Sequence, residues 1–182
     1  MASIIQSSKP ALKGGALHLR PTAKSPVSTP RYLRANGRTC HIVDIENLVG
    51  SLESRHIYSD EVRAKVFTEV SSGYQRKWVH SSDLVYVGCD AAIMYSTALD
   101  WEHYSVRFGR GKDGADRALM EVIDIDAVAR SCDVLQIASG DHAFADLARL
   151  ARSEGLFVRA VARSGQLSRE LRENCDAIYT MA

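Results

Sequence analysis

Proline is scarce in this sequence and confined to one end. The chain of 182 residues has four prolines, Pro10, Pro21, Pro26 and Pro30. None interrupts the following 150 or so residues, so helices and strands can run there unbroken. No uninterrupted apolar run approaches the ~18 residues of a membrane span. The four cysteines (Cys40, Cys89, Cys132 and Cys175) form no C-x-x-C pair, which excludes a zinc ribbon or a thioredoxin-type motif. Each lies at or beside an apolar run and reads as a small buried thiol, suited to a reducing compartment. No G-x-x-x-x-G-K-[ST] loop is present, so a P-loop nucleotide site is excluded.

The charge is unevenly placed. Residues 1–38 carry seven Lys or Arg and no acid, whereas the whole chain has a net charge of only +1. A tail of +7 is therefore attached to a body of −6, and the two read separately. The tail is rich in Ser, Thr, Gly and Pro, and apolar periodicity is missing. It reads as a disordered basic extension over 1–38. It lacks the apolar core of a secretory signal. Its composition suits an organellar transit leader or a basic arm that touches nucleic acid; otherwise a cytoplasmic location is expected.

From Thr39 the texture changes. Strand-length apolar runs fall at Cys40–Ile45, Leu84–Cys89, Ser105–Phe108, Val134–Ala138, Leu156–Ala162 and Ala177–Thr180. Between them, helices are expected over Ser59–Trp78, Ala91–Trp101, Gly114–Arg130, His142–Glu154 and Ser168–Asn174. Ser59 or Asp60 would cap the first of these. Its inward face reads as Val62, Val66, Val70 and Tyr74. Leu119, Val122, Ile123 and Val128 would be inward in the third helix, and Phe144, Leu147, Leu150 and Ala151 in the fourth. Five β-α units and a closing strand predict an α/β domain over 39–182, with a mostly parallel sheet and helices on both faces. Such sheets bind ligands at the carboxyl ends of their strands.

Three of those ends carry acids. Asp44 closes the first strand, inside an apolar run where an unpaired carboxylate is costly. Asp116 falls in the first helical turn after the third strand. Asp141 follows Ser139 and Gly140 after the fourth. Each has an ordinary explanation, as an Asx turn or an N-cap, with Asp113 and Asp116 serving the helix that begins at Gly114. Asn47 would orient Asp44 or cap its turn, and Glu46 is either a further ligand or a solvated loop acid. His142 is placed to move a proton but reads as incidental, and Asp146 should point to solvent. Arg107, Arg110 and Lys112, among Gly109, Gly111 and Gly114, form a basic loop suited to a phosphate backbone or simply to water. Clustered oxygens without Cys or a His pair suit a hard cation, Mg²⁺ or Mn²⁺.

The stretches VDIENL (Val43–Leu48), KDGADRAL (Lys112–Leu119) and SGDHAFADLARLARSEG (Ser139–Gly155) resemble, in this order and spacing, the NYN domain family, a branch of the PIN-like ribonucleases. The closing SGQLSRELRENCDAIYTM resembles the end of these domains too. The likeness covers about residues 39–182. It implies a Rossmann-like sheet, a Mg²⁺ or Mn²⁺ site and hydrolysis of RNA phosphodiesters. By motif, Asp44, Asp116 and Asp141 become the metal-binding and catalytic acids, with Asn47 and Ser139 in support. Many members read S-G-D-x-D-F; here Ala143 stands where the fourth acid would be.

The sequence thus leads to a metal-dependent ribonuclease acting on RNA, single-stranded by preference. The rival is an NYN-type RNA-binding or regulatory module with weak or no catalysis. No membrane partner is expected, and a homodimer is left open. Trp78, Trp101 and Tyr104 are aromatic candidates for stacking on bases, although aromatics beside helices commonly belong to the core.

Overall fold

A computed structural model describes residues 36–50, 60–111 and 113–181. The basic tail up to residue 35, the expected cap Ser59 and the loop residue Lys112 lie outside the described residues.

Six strands form one all-parallel sheet in the order β3-β2-β1-β4-β5-β6. They are β1 (Thr39–Asp44), β2 (Leu84–Asp90), β3 (Ser105–Gly109), β4 (Val134–Ala138), β5 (Phe157–Arg163) and β6 (Ala177–Met181). The two central strands are buried along their whole length, which is why they read as apolar runs without alternation. The chain winds outward from β1 in one direction and from β4 in the other. The switch in strand order therefore falls between β1 and β4, where a crevice opens at their carboxyl ends.

The helices are α1 (Ile45–Val49), α2 (Asp60–Trp78), α3 (Met94–Asp100), α4 (Gly114–Met120), α5 (Ile125–Ser131), α6 (Ala145–Ser153) and α7 (Arg169–Glu173). They cover both faces. Cys40, Ile42, Leu135 and Ile137 pack with Leu119, Val128, Phe144, Ala148 and Leu171 on one side. Val43, Val85, Val87 and Val161 pack with Ile45, Leu48, Phe67, Tyr74 and Trp101 on the other. Cys40, Cys89 and Cys132 are buried and Cys175 half-buried, all as free thiols.

Four details depart from the sequence reading. The helix α1 was not expected; five residues are too few to show a period, and its start is set by Asp44, whose side chain accepts from the Asn47 amide. The single helix expected over Gly114–Arg130 is two, because Asp124 caps α5 by accepting from Ala127 N at 3.1 Å. The inner face of α2 is turned by about one residue: Phe67, Ser71 and Tyr74 are buried, whereas Val62 is exposed. In α6, Ala148 rather than Leu150 faces the core. A valine or leucine stripe is followed only where the neighbouring elements offer a surface to receive it.

The far end of the sheet holds a buried polar network. His41 Nδ1 lies 2.9 Å from Tyr74 Oη, Gln136 Nε2 donates to the same hydroxyl at 2.8 Å, and His41 Nε2 lies 3.2 Å from Asp83. Burial pulls His41 down to about 4 against the opposing pull of Asp83. It is neutral at physiological pH, so the network ties β1, β4 and α2 together without a buried cation.

Candidate active site

The crevice at the carboxyl ends of the strands is an open cleft of about 560 Å³. Asp44, Asp116 and Asp141 all line it, as do Glu46, Asp90 and Asp113. Among the described residues its lining holds six carboxylates and no basic group.

Asp44 is the most constrained of these. Only 5% of its surface is exposed. Its Oδ1 accepts from the Asn47 backbone N–H at 3.1 Å, and its Oδ2 from the Ser139 hydroxyl at 3.1 Å. Burial, and then the charge of Asp116, push its carboxyl up to about 7, against the pull of those two donors. Asp116 is buried at the third position of α4. Its own carboxyl is raised by burial and by the charge of Asp141, while a hydrogen bond with the Asp44 carboxyl opposes the rise. The two buried acids therefore compete for ionisation.

Asp141 does what an N-cap does: its Oδ1 accepts from Ala143 N at 2.8 Å, and its own N–H donates to Ser139 Oγ at 3.1 Å. Capping and lining the cleft are compatible because the second carboxylate oxygen has no part in the cap. His142 Nδ1 lies 2.9 Å from the same Oδ1, on a side chain that is largely in solvent. Asp146 points outward and pairs with Arg149, as the sequence implied. Ala143 offers only its amide.

Asn47 uses its two amides separately. Its side-chain oxygen accepts from Gly140 N at 2.7 Å and latches α1 to the turn after β4, while its backbone N–H is the group that holds Asp44. Ser139 is the residue that touches both acids, donating to Asp44 and accepting from the Asp141 amide. Gly140 is required for this turn, since a Cβ there would meet the Gln166 carbonyl oxygen at 2.2 Å.

The basic loop is not a loose clamp. Gly109 and Gly114 touch through their backbones, and a Cβ on Gly109 would meet the Gly114 carbonyl oxygen at 2.0 Å. The glycines pinch the segment closed. Arg107 lies in β3 and lines a different hollow with Tyr86 and His103, and Arg110 is exposed outside the acid cleft. Neither is brought to the carboxylates. Asp113 was read as the cap of α4, yet its backbone is left-handed (φ 58°) and its side chain makes no capping bond, which leaves the carboxylate to line the cleft.

One lining acid, Asp90, escaped the sequence reading, and Glu46, read as a further ligand or a solvated loop acid, lies beside it in the cleft. Asp90 ends β2 and accepts from Ala92 N at 2.8 Å. Glu46 Oε2 in turn accepts from Asp90 N at 3.1 Å, which ties α1 to the end of β2. The run GCD at the close of β2 was a legible clue, since it repeats the strand-terminal acid of β1. Of the aromatic candidates, Trp101 is fully buried, with its indole N–H donating to Ser71 at 3.0 Å. Tyr104 packs edge-on against it, and Trp78 packs on Tyr179.

The donor set suits a hard cation: it is all oxygen, dense in charge and reached from an open cleft. The spacing is not that of a finished cage, because among the described residues no three His, Cys, Asp or Glu side chains are grouped to hold one ion. Mg²⁺ characteristically keeps several waters and takes only one or two carboxylates directly, so the residues fit such an ion without closing around it.

A parallel α/β sheet with carboxylates at the carboxyl ends of its strands offers a cleft suited to a divalent cation. The chain belongs to the NYN domain family, which matches residues 28–182 and is of PIN-like nuclease type. The match begins inside the stretch read as the basic tail. Nucleases of this kind usually use divalent metals. Among solved structures, the fold is similar to a protein of unknown function from Vibrio parahaemolyticus, with a TM-score of 0.52 at 14% identity, over 80% of this chain and 93% of that one. No curated protein matches the sequence. Among the described residues no helix is long and apolar enough to cross a membrane.

Proposed function

We propose that this protein is a Mg²⁺- or Mn²⁺-dependent ribonuclease that hydrolyses phosphodiester bonds of single-stranded RNA in the acid cleft. The observation that carries this reading is the pair Asp44 and Asp116, buried beside each other at the mouth of an open crevice with no basic side chain among its described lining. Two carboxylates held so are costly unless protonated or neutralised by a cation.

Asp44 and Asp141, from the two strands that flank the switch point, would hold the ion, with Asp116 orienting the attacking water. When bound, the cation supplies a lowered water pKa and a polarised phosphoryl oxygen. The chain's own part is positioning. The Asn47 amide and the Ser139 hydroxyl fix both oxygens of Asp44. The Ala143 amide fixes one oxygen of Asp141 and leaves the other for the cleft. Six carboxylates repel a bare polyanion, so RNA phosphates gain entry only together with cations.

A second reading, an RNA-binding or regulatory module with weak catalysis, is favoured by Ala143, which removes one acid, and by the unclosed spacing. The test is purified protein with a varied panel of single-stranded RNAs in Mn²⁺ and in chelator. Cleavage in Mn²⁺ alone, lost in Asp44→Asn, supports the enzyme. RNAs that stay intact but bind equally well with or without metal support the module.

A further inference from the structure

Beyond the acid cleft a second groove opens between α2 and the segment that follows β2. Glu46 and Asp90 belong to both, so the groove is continuous with the cleft. From there it passes Arg63 and Phe67 and ends at Ile93 and Tyr95. Its outer part encloses about 420 Å³, within the range of small-molecule sites.

The chemistry changes along this path. Among the described residues, the cleft is lined by carboxylates and no base, whereas the outer groove is lined by apolar and aromatic groups with the Arg63 guanidinium and no carboxylate. At its mouth Tyr95 is 82% exposed. Core packing does not account for this position. Thr97 is the buried residue of α3 and Met94 packs against the core, while Tyr95 and Leu99 stand in solvent. An aromatic ring held out beside an apolar groove offers a face on which a planar group can stack.

We propose that this groove is a nucleobase subsite, taking the unpaired base next to the phosphodiester that lies in the acid cleft. The proposal rests on the nuclease reading above. A base suits the groove at each point. Its π face stacks on Tyr95, with Phe67 and Ile93 as apolar walls. Its ring N–H or amine donors meet the carboxylate end at Glu46 and Asp90. Arg63 supplies positive charge beside the backbone. A phosphate or another anion is disfavoured at the inner end by those same two acids. Stacking of this kind is tolerant of sequence, because every base has a π face.

The test is a cycle of Tyr95→Ala against abasic substitutions walked along a short fluorescent RNA. Affinity is read by anisotropy in the Asp44→Asn background, so that the RNA stays whole. Stacking on one aromatic changes affinity by about tenfold. One abasic position should therefore weaken binding about tenfold with Tyr95 present and have no effect once Tyr95 is Ala. Tyr95→Phe should restore the sensitivity, and none of these changes should alter the melting temperature. Additive losses, or an absence of RNA binding, would overturn the subsite. The parent enzyme separates the two readings. Coupling without Mn²⁺-dependent cleavage keeps the groove and removes the nuclease, whereas cleavage with additive losses keeps the nuclease and removes the groove.

Discussion

The Ser139 hydroxyl donates to Asp44 Oδ2 at 3.1 Å across 95 residues of sequence. That bond crosses from the end of β4 to the end of β1 at the switch in strand order. The same oxygen of Ser139 accepts from the Asp141 amide, so one small side chain sets the spacing of two acids. Ser139→Ala should cost about 1–2 kcal/mol in urea unfolding, since it removes one donor from a buried carboxylate and one acceptor from a half-buried amide. It should also raise the Asp44 carboxyl further, which would appear as an upward shift of the acid limb in a pH–rate profile.

Asp44 sets a pH dependence of stability for the metal-free protein. Its carboxyl is raised from 3.8 to about 7 by burial and by Asp116. Between those values the native state holds a proton that the unfolded chain has released. The contribution is therefore fully present below pH ~4 and is lost as pH rises toward 7. The stability difference between the parent and Asp44→Asn should change over this window and level off above it. Urea melts of both proteins from pH 4 to 8 in chelator measure it, and curves that stay parallel throughout would contradict the assigned environment.

Removing the charge of Asp44 should have opposite effects with and without metal. Asp44→Asn should leave the chelated protein as stable as the parent or more so at pH 7, because a repelling charge is gone. The same change should lower Mn²⁺-dependent RNA cleavage by ~10²-fold or more. Adding Mn²⁺ should raise the melting temperature of the parent by mass action and leave the variant nearly unmoved. Scanning calorimetry in Mn²⁺ and in chelator separates these effects.

Ala143 sits half-buried in the turn that Asp141 caps, at the position where the S-G-D-x-D-F pattern of the resemblance would place an acid. Ala143→Asp should tighten Mn²⁺ binding, measured by titration calorimetry, and raise the cleavage rate. It should destabilise the chelated protein, since another carboxylate joins the six that line the cleft.

The Asn47 latch predicts a different outcome. Asn47→Ala leaves the Gly140 N–H without its acceptor and should cost about 1–3 kcal/mol. Gly140→Ala should cost as much or more, because the new methyl meets backbone rather than a side chain that can turn away. Both should weaken metal binding by loosening the turn that carries Ser139 and Asp141. A loss of stability with unchanged metal affinity would show the latch to be structural only.

What the sequence determined by itself was the architecture and the placing of Asp44, Asp116 and Asp141 at one end of the sheet. The alternation of strand-length apolar runs with helical segments is local information. Asp44 could be read because it ends a buried strand, where an ionisable residue is out of place, and Asp141 because it follows another in the turn after Ala138. Asp90 stood in the same kind of position and was just as legible. The family resemblance followed from contiguous motifs. Tertiary structure alone decided the rest. Whether Val62 or Phe67 faces inward depends on the surface that α2 meets, not on the period of its own residues. Asp113 looked like a cap, but the contact between Gly109 and Gly114 accompanies a left-handed backbone there that makes no cap. Asn47 partners Asp44 through its backbone N–H, but that its side-chain oxygen also reaches Gly140, 93 residues away, could not be read from the sequence. Arg107 and Arg110 read as one basic loop, but strand direction gives Arg107 to a separate hollow and neither lines the acid cleft. Residues brought together by the crossover between β1 and β4 leave no periodic trace in the chain, because their proximity is set by sheet order and not by spacing.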